Sequence, residues 1–240
     1  MTRFAPLLFA LAALGTAATA QERIETAPVE TADAFAQAAR SATGLPDPLP
    51  LVAGIEAADN GVWACASCHG DQGQGTQNVP RLAGLPAGYI AKQLHDYREG
   101  TREDGNMRFV ADQLSEDEIL ALALYYEKLD TAPSSRAELG GDLERGRELA
   151  LRGDWEVDLP SCFSCHGGSG WGVGQSFPPI AGQQPAYTHE QLAAWQGETR
   201  RNSPLGLMHS VARSMSDADM RAVADYLATL PPPQPADTSR

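Results

Sequence analysis

The sequence predicts an all-α chain built from two tandem copies of one small helical domain. Three observations carry this reading. The second half of the chain repeats the first at a nearly constant offset. Tyr89, Gln93, Leu94 and Arg102 recur as Tyr187, Gln191, Leu192 and Arg200 at 98, and Tyr125 and Leu129 recur as Tyr226 and Leu230 at 101. Within each copy, apolar residues recur at helical spacing and are bracketed by helix start and stop signals. No segment alternates in the manner of a half-buried strand.

Taken in order, residues 1–20 stand outside that fold. Met1–Arg3 make a short basic start, Phe4–Leu14 an apolar run, and Ala18-Thr19-Ala20 a small-residue cleavage site. This predicts a secretory signal peptide cleaved after Ala20, with an apolar run too short to span a bilayer. Residues 21–51 form an Ala/Pro/Glu-rich extension, read as a disordered spacer rather than a docking segment. A first domain then occupies 52–130. Its helices are expected at about Leu51–Asp59, at Pro86–Arg98 (Ile90, Leu94 and Tyr97 on one face, Gly100 past the end), and after a capping box at Ser115-Glu116-Asp117-Glu118. Residues 131–141 are a polar linker, expected to be mobile. A second domain, 142–231, repeats the pattern. Helices are expected at Leu143–Arg152, at Pro185–Gln196 with Gly197 following, and after Ser216 with Met220, Val223, Ala224 and Leu227 as the apolar face. The Pro-rich tail from Pro231, residues 232–240 above all, is expected to be disordered.

A chain of 240 residues, 42% hydrophobic and 20% charged, has room for one large domain or two small ones. The net charge of −13 excludes binding of nucleic acid through its phosphates. It suits a partner with a basic docking patch, or simply an acidic soluble surface.

All four cysteines lie in two C-x-x-C-H motifs, Cys65-Ala66-Ser67-Cys68-His69 and Cys162-Phe163-Ser164-Cys165-His166. Two thiols three positions apart on one helical turn reach the two vinyl groups along one edge of a haem and add across them as thioethers. The following His then lies under the ring plane, where its imidazole binds iron. C-x-x-C-H is therefore a haem-attachment signal. A single all-thiolate zinc site ignores both histidines and the repeat. A redox disulfide needs a thioredoxin-like βαβ setting that is missing. The sequence thus calls for two covalently bound haem c groups, with His69 and His166 as iron ligands.

The opposite face of each iron points to methionine. Met107-Arg108-Phe109-Val110-Ala111 and Met208-His209-Ser210-Val211-Ala212 share one pattern, in what reads as a loop before the last helix of each half. Met107 and Met208 are the expected second axial ligands, and Met215 and Met220 read as core. A thioether favours Fe(II) and raises the potential. With both faces filled, the iron carries electrons and binds no substrate. His95, His189 and His209 have no equivalents in the repeat and read as local structural side chains. Pro80 and Pro178, 11 and 12 residues past their histidines, either offer a carbonyl to the His Nδ1–H or are plain turn prolines. Arg102 and Arg200 either pair with haem propionates or are exposed.

With C-x-x-C-H-G, P-x-[LI]-A-G, Y-x-x-x-Q-L and M-x-x-V-A-x-x-[LM]-S in each half, from Val52 to Leu230, the chain resembles the dihaem cytochrome c4 family. The resemblance implies two tandem class I cytochrome c domains related by a pseudo-twofold axis with their propionate edges close together. It also implies axial ligands at His69, Met107, His166 and Met208, and a periplasmic electron carrier. The implied partners are redox proteins: a quinol-oxidising complex or a dehydrogenase as donor, and a terminal oxidase as acceptor. Any membrane association runs through such partners, and the oligomeric state stays open. Two competing functions remain. A haem subunit of a sulfur-compound or alcohol dehydrogenase would leave the chemistry to another chain. A dihaem peroxidase would need an open iron face, which the paired methionines argue against. On this reading the chain is an electron-transfer protein and not itself an enzyme.

Overall fold

A computed structural model describes residues 31–54 and 61–233. The expected signal peptide, the end of the expected helix Leu51–Asp59, and the tail beyond Pro233 lie outside the described residues. Eleven α-helices are present among them: α1 (Ala32–Ser41), α2 (Leu49–Ala53), α3 (Cys65–His69), α4 (Ala87–Glu99), α5 (Gly105–Gln113), α6 (Glu116–Glu127), α7 (Leu143–Arg152), α8 (Cys162–His166), α9 (Pro185–Gln196), α10 (Leu207–Arg213) and α11 (Asp217–Ala228). The described residues contain isolated β-bridges and no strand. No helix among them is long and apolar enough to cross a membrane.

The two halves share one plan. In the first, α4 packs on α5 and α6; in the second, α9 packs on α10 and α11, and α11 also packs on α7. Each terminal helix starts at a reciprocal cap. Ser115 Oγ accepts from Glu118 N while Glu118 accepts from Ser115 N, and Ser216 and Asp219 do the same. Ile90, Leu94, Tyr97, Ile119, Leu122 and Tyr126 are buried together in the first half. Leu149, Leu192, Met215, Met220, Val223 and Leu227 fill the second, so Met215 and Met220 are core.

Three segments are more ordered than expected. The extension contains α1, which is no spacer. Thr31 caps it, and Ala32, Phe35, Ala36 and Ala39 form a buried stripe at helical spacing. That stripe lies on α4 and α6. The approach is so close that a Cβ on Gly88 would stand 1.8 Å from the Ala32 carbonyl oxygen. Phe35 stacks on His95 with ring centroids 4.4 Å apart, and Ser176 Oγ reaches from the second half to Asp33 at 3.3 Å.

The linker is tied down as well. Arg81 donates to the Thr131 and Ala132 carbonyls, and Ser134 Oγ donates to Gln74 O. The Asp225 carboxylate, almost fully buried, accepts from the backbone of Glu138, Leu139 and Gly141. A polar linker is mobile only if its polar groups bond to water, and here they bond to both halves. Pro231 accepts from Trp171 Nε1, and Pro232 and Pro233 sit against Gly182 and Gly84, so the start of the tail is seated in the seam between the halves.

The packing of α1 has a measurable consequence. Phe35→Ala is expected to cost about 3 kcal/mol of stability, as for a buried aromatic truncated in a core. Arg40→Ala, which removes only a 3.4 Å ion pair to Glu127 at the surface, is expected to cost under about 1 kcal/mol. Thermal unfolding of the two variants checks this; equal shifts would show that α1 rests loosely on the domain.

Candidate functional site

Each C-x-x-C-H motif folds as a single helical turn, α3 and α8. Local side chains start the turn: Ser67 Oγ donates to Ala64 O and Ser164 Oγ to Ser161 O, both at 2.6 Å. The turn puts Cys65 and Cys68, and likewise Cys162 and Cys165, on neighbouring positions of one helix. All four thiols are free; the first of each pair is half-buried and the second exposed. Burial pushes the Cys65 thiol up, and pushes that of Cys162 up to about 11. Burial thus favours the protonated thiol at Cys65 and Cys162.

His69 and His166 are buried. His69 Nδ1 lies 2.9 Å from Pro80 O, and His166 Nδ1 lies 2.7 Å from Pro178 O. A carbonyl oxygen only accepts, so Nδ1 carries the hydrogen in both rings and the Nε2 lone pair is left free. Burial pushes both imidazoles down, toward the neutral form, against the pull of the proline carbonyls. The carbonyl is aimed by a tight loop. Gly75 N donates to His69 O and Gly172 N donates to His166 O, both at 2.8 Å. Both glycines have φ near +80°, and a Cβ on Gly75 would lie 2.6 Å from Arg81 N.

Met107 and Met208 stand in equivalent places, but not in loops. Met107 is in the first turn of α5, where Asp104 Oδ1 accepts its N–H at 2.8 Å. Met208 is in the first turn of α10, where Ser203 Oγ accepts its N–H at 2.9 Å. Gly105, Asn106, Pro204 and Gly206 are poor helix formers, which hid both helix starts in the sequence. Each methionine is half-buried and packs against the core of its own half. The other histidines have local partners. His95 stacks on Phe35, His189 Nε2 lies 2.8 Å from Asp217, and His209 Nδ1 donates to Trp195 O at 2.9 Å. Among the described residues no three His, Cys, Asp or Glu side chains gather into a group that could hold a metal ion.

Arg102 and Arg200 are not exposed. They pair as an antiparallel bridge in the seam between the halves, 5% and 3% accessible. Their hydrogen bonds cross the seam. Arg102 donates to Gln93 of its own half and to Tyr187 Oη and Gln191 of the other, at 2.7–2.9 Å. Arg200 donates to Gln191 of its own half, and to Tyr89 Oη and Gln93 of the other, at 2.7–3.1 Å. The guanidinium of Arg102 lies over Tyr97, and that of Arg200 over Trp195, the equivalent residue. The tyrosines and glutamines of this cluster were visible in the sequence only as repeated positions; their recurrence at the same offset as the arginines was the available signal. Gln183 closes the same seam with two bonds to the Arg81 backbone.

Every direct acceptor of these two cations is neutral. A buried charge without a counter-charge is costly, so the seam calls for anionic groups beside it. Trp195 Nε1 is buried and has no acceptor among the described residues. Haem fits this donor set. Its vinyl edge suits each thiol pair, its iron suits each free Nε2 and a thioether, and its propionates suit two uncompensated guanidinium groups and an orphaned indole N–H.

A family model described as cytochrome c matches residues 53–130 and again 143–231. A thiosulfate dehydrogenase electron acceptor from Stutzerimonas stutzeri (strain A1501) is 45% identical over 178 residues, covering 72% of this chain and 82% of its own. A cytochrome c4 from Thiocapsa roseopersicina is 38% identical over 180 residues, covering 73% and 90%. Among solved structures, thiosulfate dehydrogenase from Marichromatium purpuratum superposes with a TM-score of 0.73 at 41% identity, over 77% of this chain. This chain spans only 40% of the length of that protein. Reduced recombinant cytochrome c4 from Pseudomonas stutzeri superposes with a TM-score of 0.64 at 29% identity, over 69% of this chain and 93% of that one.

Proposed function

Because the chain belongs to the dihaem cytochrome c4 family of cytochrome c proteins, carrying two covalently bound haem c groups, we propose that it is the electron acceptor of a periplasmic dehydrogenase that oxidises thiosulfate or a related sulfur compound. The supporting observation is the likeness to electron acceptors of thiosulfate dehydrogenase, together with two equivalent sites that each leave an imidazole Nε2 and a thioether available. Bound haem supplies a one-electron couple between Fe(III) and Fe(II). The chain's own residues do the rest. Cys65, Cys68, Cys162 and Cys165 would hold the ring edges, and His69 and His166 would offer Nε2 to the irons. Pro80 and Pro178 hold each ring in the tautomer that frees Nε2 and make it a stronger donor. Met107 and Met208 would supply the thioethers that hold the group from the other side, and a soft thioether would raise the potential. Arg102 and Arg200 would pair with the propionates in the seam. Held by these residues, the group would exchange electrons, and the oxidation chemistry would stay on the partner. A freestanding carrier feeding a terminal oxidase is the second reading, supported by the cytochrome c4 relatives.

The purified holoprotein is expected to stay oxidised in thiosulfate alone and to be reduced when thiosulfate dehydrogenase is added. Reduction by a quinol-oxidising complex but not by the dehydrogenase would favour the freestanding carrier. In a spectroelectrochemical titration, two low-spin steps without carbon monoxide binding are expected, and Met107→His or Met208→His should lower one potential with both haems still attached. A carbon monoxide adduct of the reduced native protein would mean an open iron face and would move the reading to an enzyme or a sensor.

The role of the arginine pair is tested separately with Gln191→Glu, which keeps the shape and the acceptor while adding an anion. If two propionates already balance the two arginines, a third negative charge lowers the melting temperature of the holoprotein. A rise would show that the arginines lacked counter-charges.

A further inference from the structure

The two copies differ by one residue in the turn that leads from each attachment helix to its proline. Four residues, 76–79, separate Gly75 from Pro80, and five, 173–177, separate Gly172 from Pro178. In the first copy Thr76 and Val79 close the turn as a bridge. In the second, Val173 and Phe177 close it, and Val173 N donates to Phe177 O at 2.8 Å. The extra residue therefore lengthens the tip, Gly174-Gln175-Ser176, while the base keeps its place. At that base Pro178 O accepts from His166 Nδ1 at 2.7 Å, and the Phe177 ring stands edge-on to the His166 ring with centroids 6.2 Å apart. The first copy has Val79 where Phe177 stands.

The longer tip reaches the other half. Gly88 N, in the first turn of α4, donates to Gln175 Oε1 at 2.8 Å, and Ser176 Oγ donates to Asp33, at the start of α1, at 3.3 Å. The first N–H groups of a helix have no partner within it, and α4 starts after Pro86, whose side chain accepts nothing. Glu127 takes the N–H of Ala87 at 2.8 Å, and Gln175 takes that of Gly88. Position 88 has no room for a side chain. A Cβ there would stand 1.8 Å from Ala32 O and 2.9 Å from Gln175 Oε1, so α1, α4 and the tip meet at one point. The equivalents of Ala87 and Gly88 in the second copy are Pro185, which has no N–H to give, and Ala186, whose methyl group would block so close an approach.

We propose that Gln175 is a positioning residue for the second iron ligand: anchored on α4 of the first half, it holds the turn that aims Pro178 O and Phe177 at His166. Ser176 and Asp33 bring α1 into the same hold, so the N-terminal extension acts on a histidine of the other half. The inference rests on His166 as an iron ligand and not on the identity of the redox partner. A firm Nδ1–H···O bond makes an imidazole a stronger donor, and a stronger donor favours Fe(III). Loosening the turn weakens that bond, so the second haem becomes easier to reduce while the first keeps its potential. Two sites with the same ligand set thus differ through a contact that the repeat does not duplicate.

The test compares variants of the full-length holoprotein by NMR of the reduced form and by redox titration. Gln175→Met keeps the length of the side chain and removes its acceptor. Exchange of the His166 ring N–H with deuterium should then be about tenfold faster or more, because it follows local opening of the turn, and that of His69 should not change. The equilibrium constant for sharing one electron between the two haems should shift about threefold or more toward the second haem, since hydrogen bonding around the ligands sets the potential. The second haem is recognised as the step that Met208→His lowers. Gln77→Ala, at the first copy's shorter tip, should leave both readings unchanged. If Gln175→Met does not accumulate with two haems, Gln175→Asn decides by the same readings, because it keeps the amide and shortens its reach by one carbon. Unchanged exchange at His166, both potentials moving together, or an equal effect in Gln77→Ala overturns the proposal. A carbon monoxide adduct of the reduced native protein overturns it through its premise instead, so the two failures are told apart.

Discussion

Two guanidinium groups buried against each other set the terms for the rest of this molecule. Arg102 and Arg200 repel one another, and each bonds only to neutral oxygens of tyrosine, glutamine and asparagine. Such an arrangement is unstable as bare polypeptide. It becomes reasonable when each half brings an anionic group to the seam, and the haem propionates proposed above are anionic groups attached to the site each half already builds. The seam therefore joins two cofactor sites as well as two protein surfaces. The crossed bonds make each arginine part of both halves, so neither half keeps its polar groups satisfied when the other is removed.

The same logic explains how little else each half needs. The second half buries few large apolar side chains, with Leu149, Leu192, Met215, Met220, Val223 and Leu227 as its centre. A domain of this size has difficulty supplying a core of its own. A large apolar ring bonded to α8 would fill the centre, and the loop from Gly167 to Pro178 would wrap its histidine side. The first half has a further resource in α1, whose alanine stripe and Phe35 extend the core over α4 and α6. The seated linker and the prolines at 231–233 add to this by tying each half to the other through backbone hydrogen bonds and close contacts that do not involve the cofactors.

How much of this was legible in the sequence follows from the range of the interactions involved. Helices α6, α7 and α11 depend on local signals, namely a cap residue, a period and a stop, and α9 on Pro185 at its first position and Gly197 past its end, and all four stand where those signals put them. The C-x-x-C-H turns are local too. What escaped detection depends on distant partners. Helix α1 looked like a spacer because an Ala-rich stripe is a weak apolar signal until Gly88 allows the backbone of α4 to approach it. The linker looked mobile because its anchor, Asp225, lies more than eighty residues away. Arg102 and Arg200 could be read either way because a charged side chain is normally exposed, and the second copy of the domain is needed to complete the acceptors that bury it.

Repetition and its breakdown then carry different information. Where the halves agree, at the cysteines, the histidines with their proline carbonyls, the helix-start methionines and the crossed arginines, both copies face the same chemical requirement. Where they disagree, that requirement no longer constrains the residue. Trp63 and Phe109 have small or turn-forming counterparts in Pro160 and Ser210, and Leu205 extends into solvent in a backbone conformation that costs a leucine about 1 kcal/mol or more. A duplicated electron carrier with identical outer faces would meet donor and acceptor through equivalent surfaces and could not direct flow by docking. The outer faces of the two halves differ in these side chains, while the crossed arginine bonds keep the seam between them symmetric.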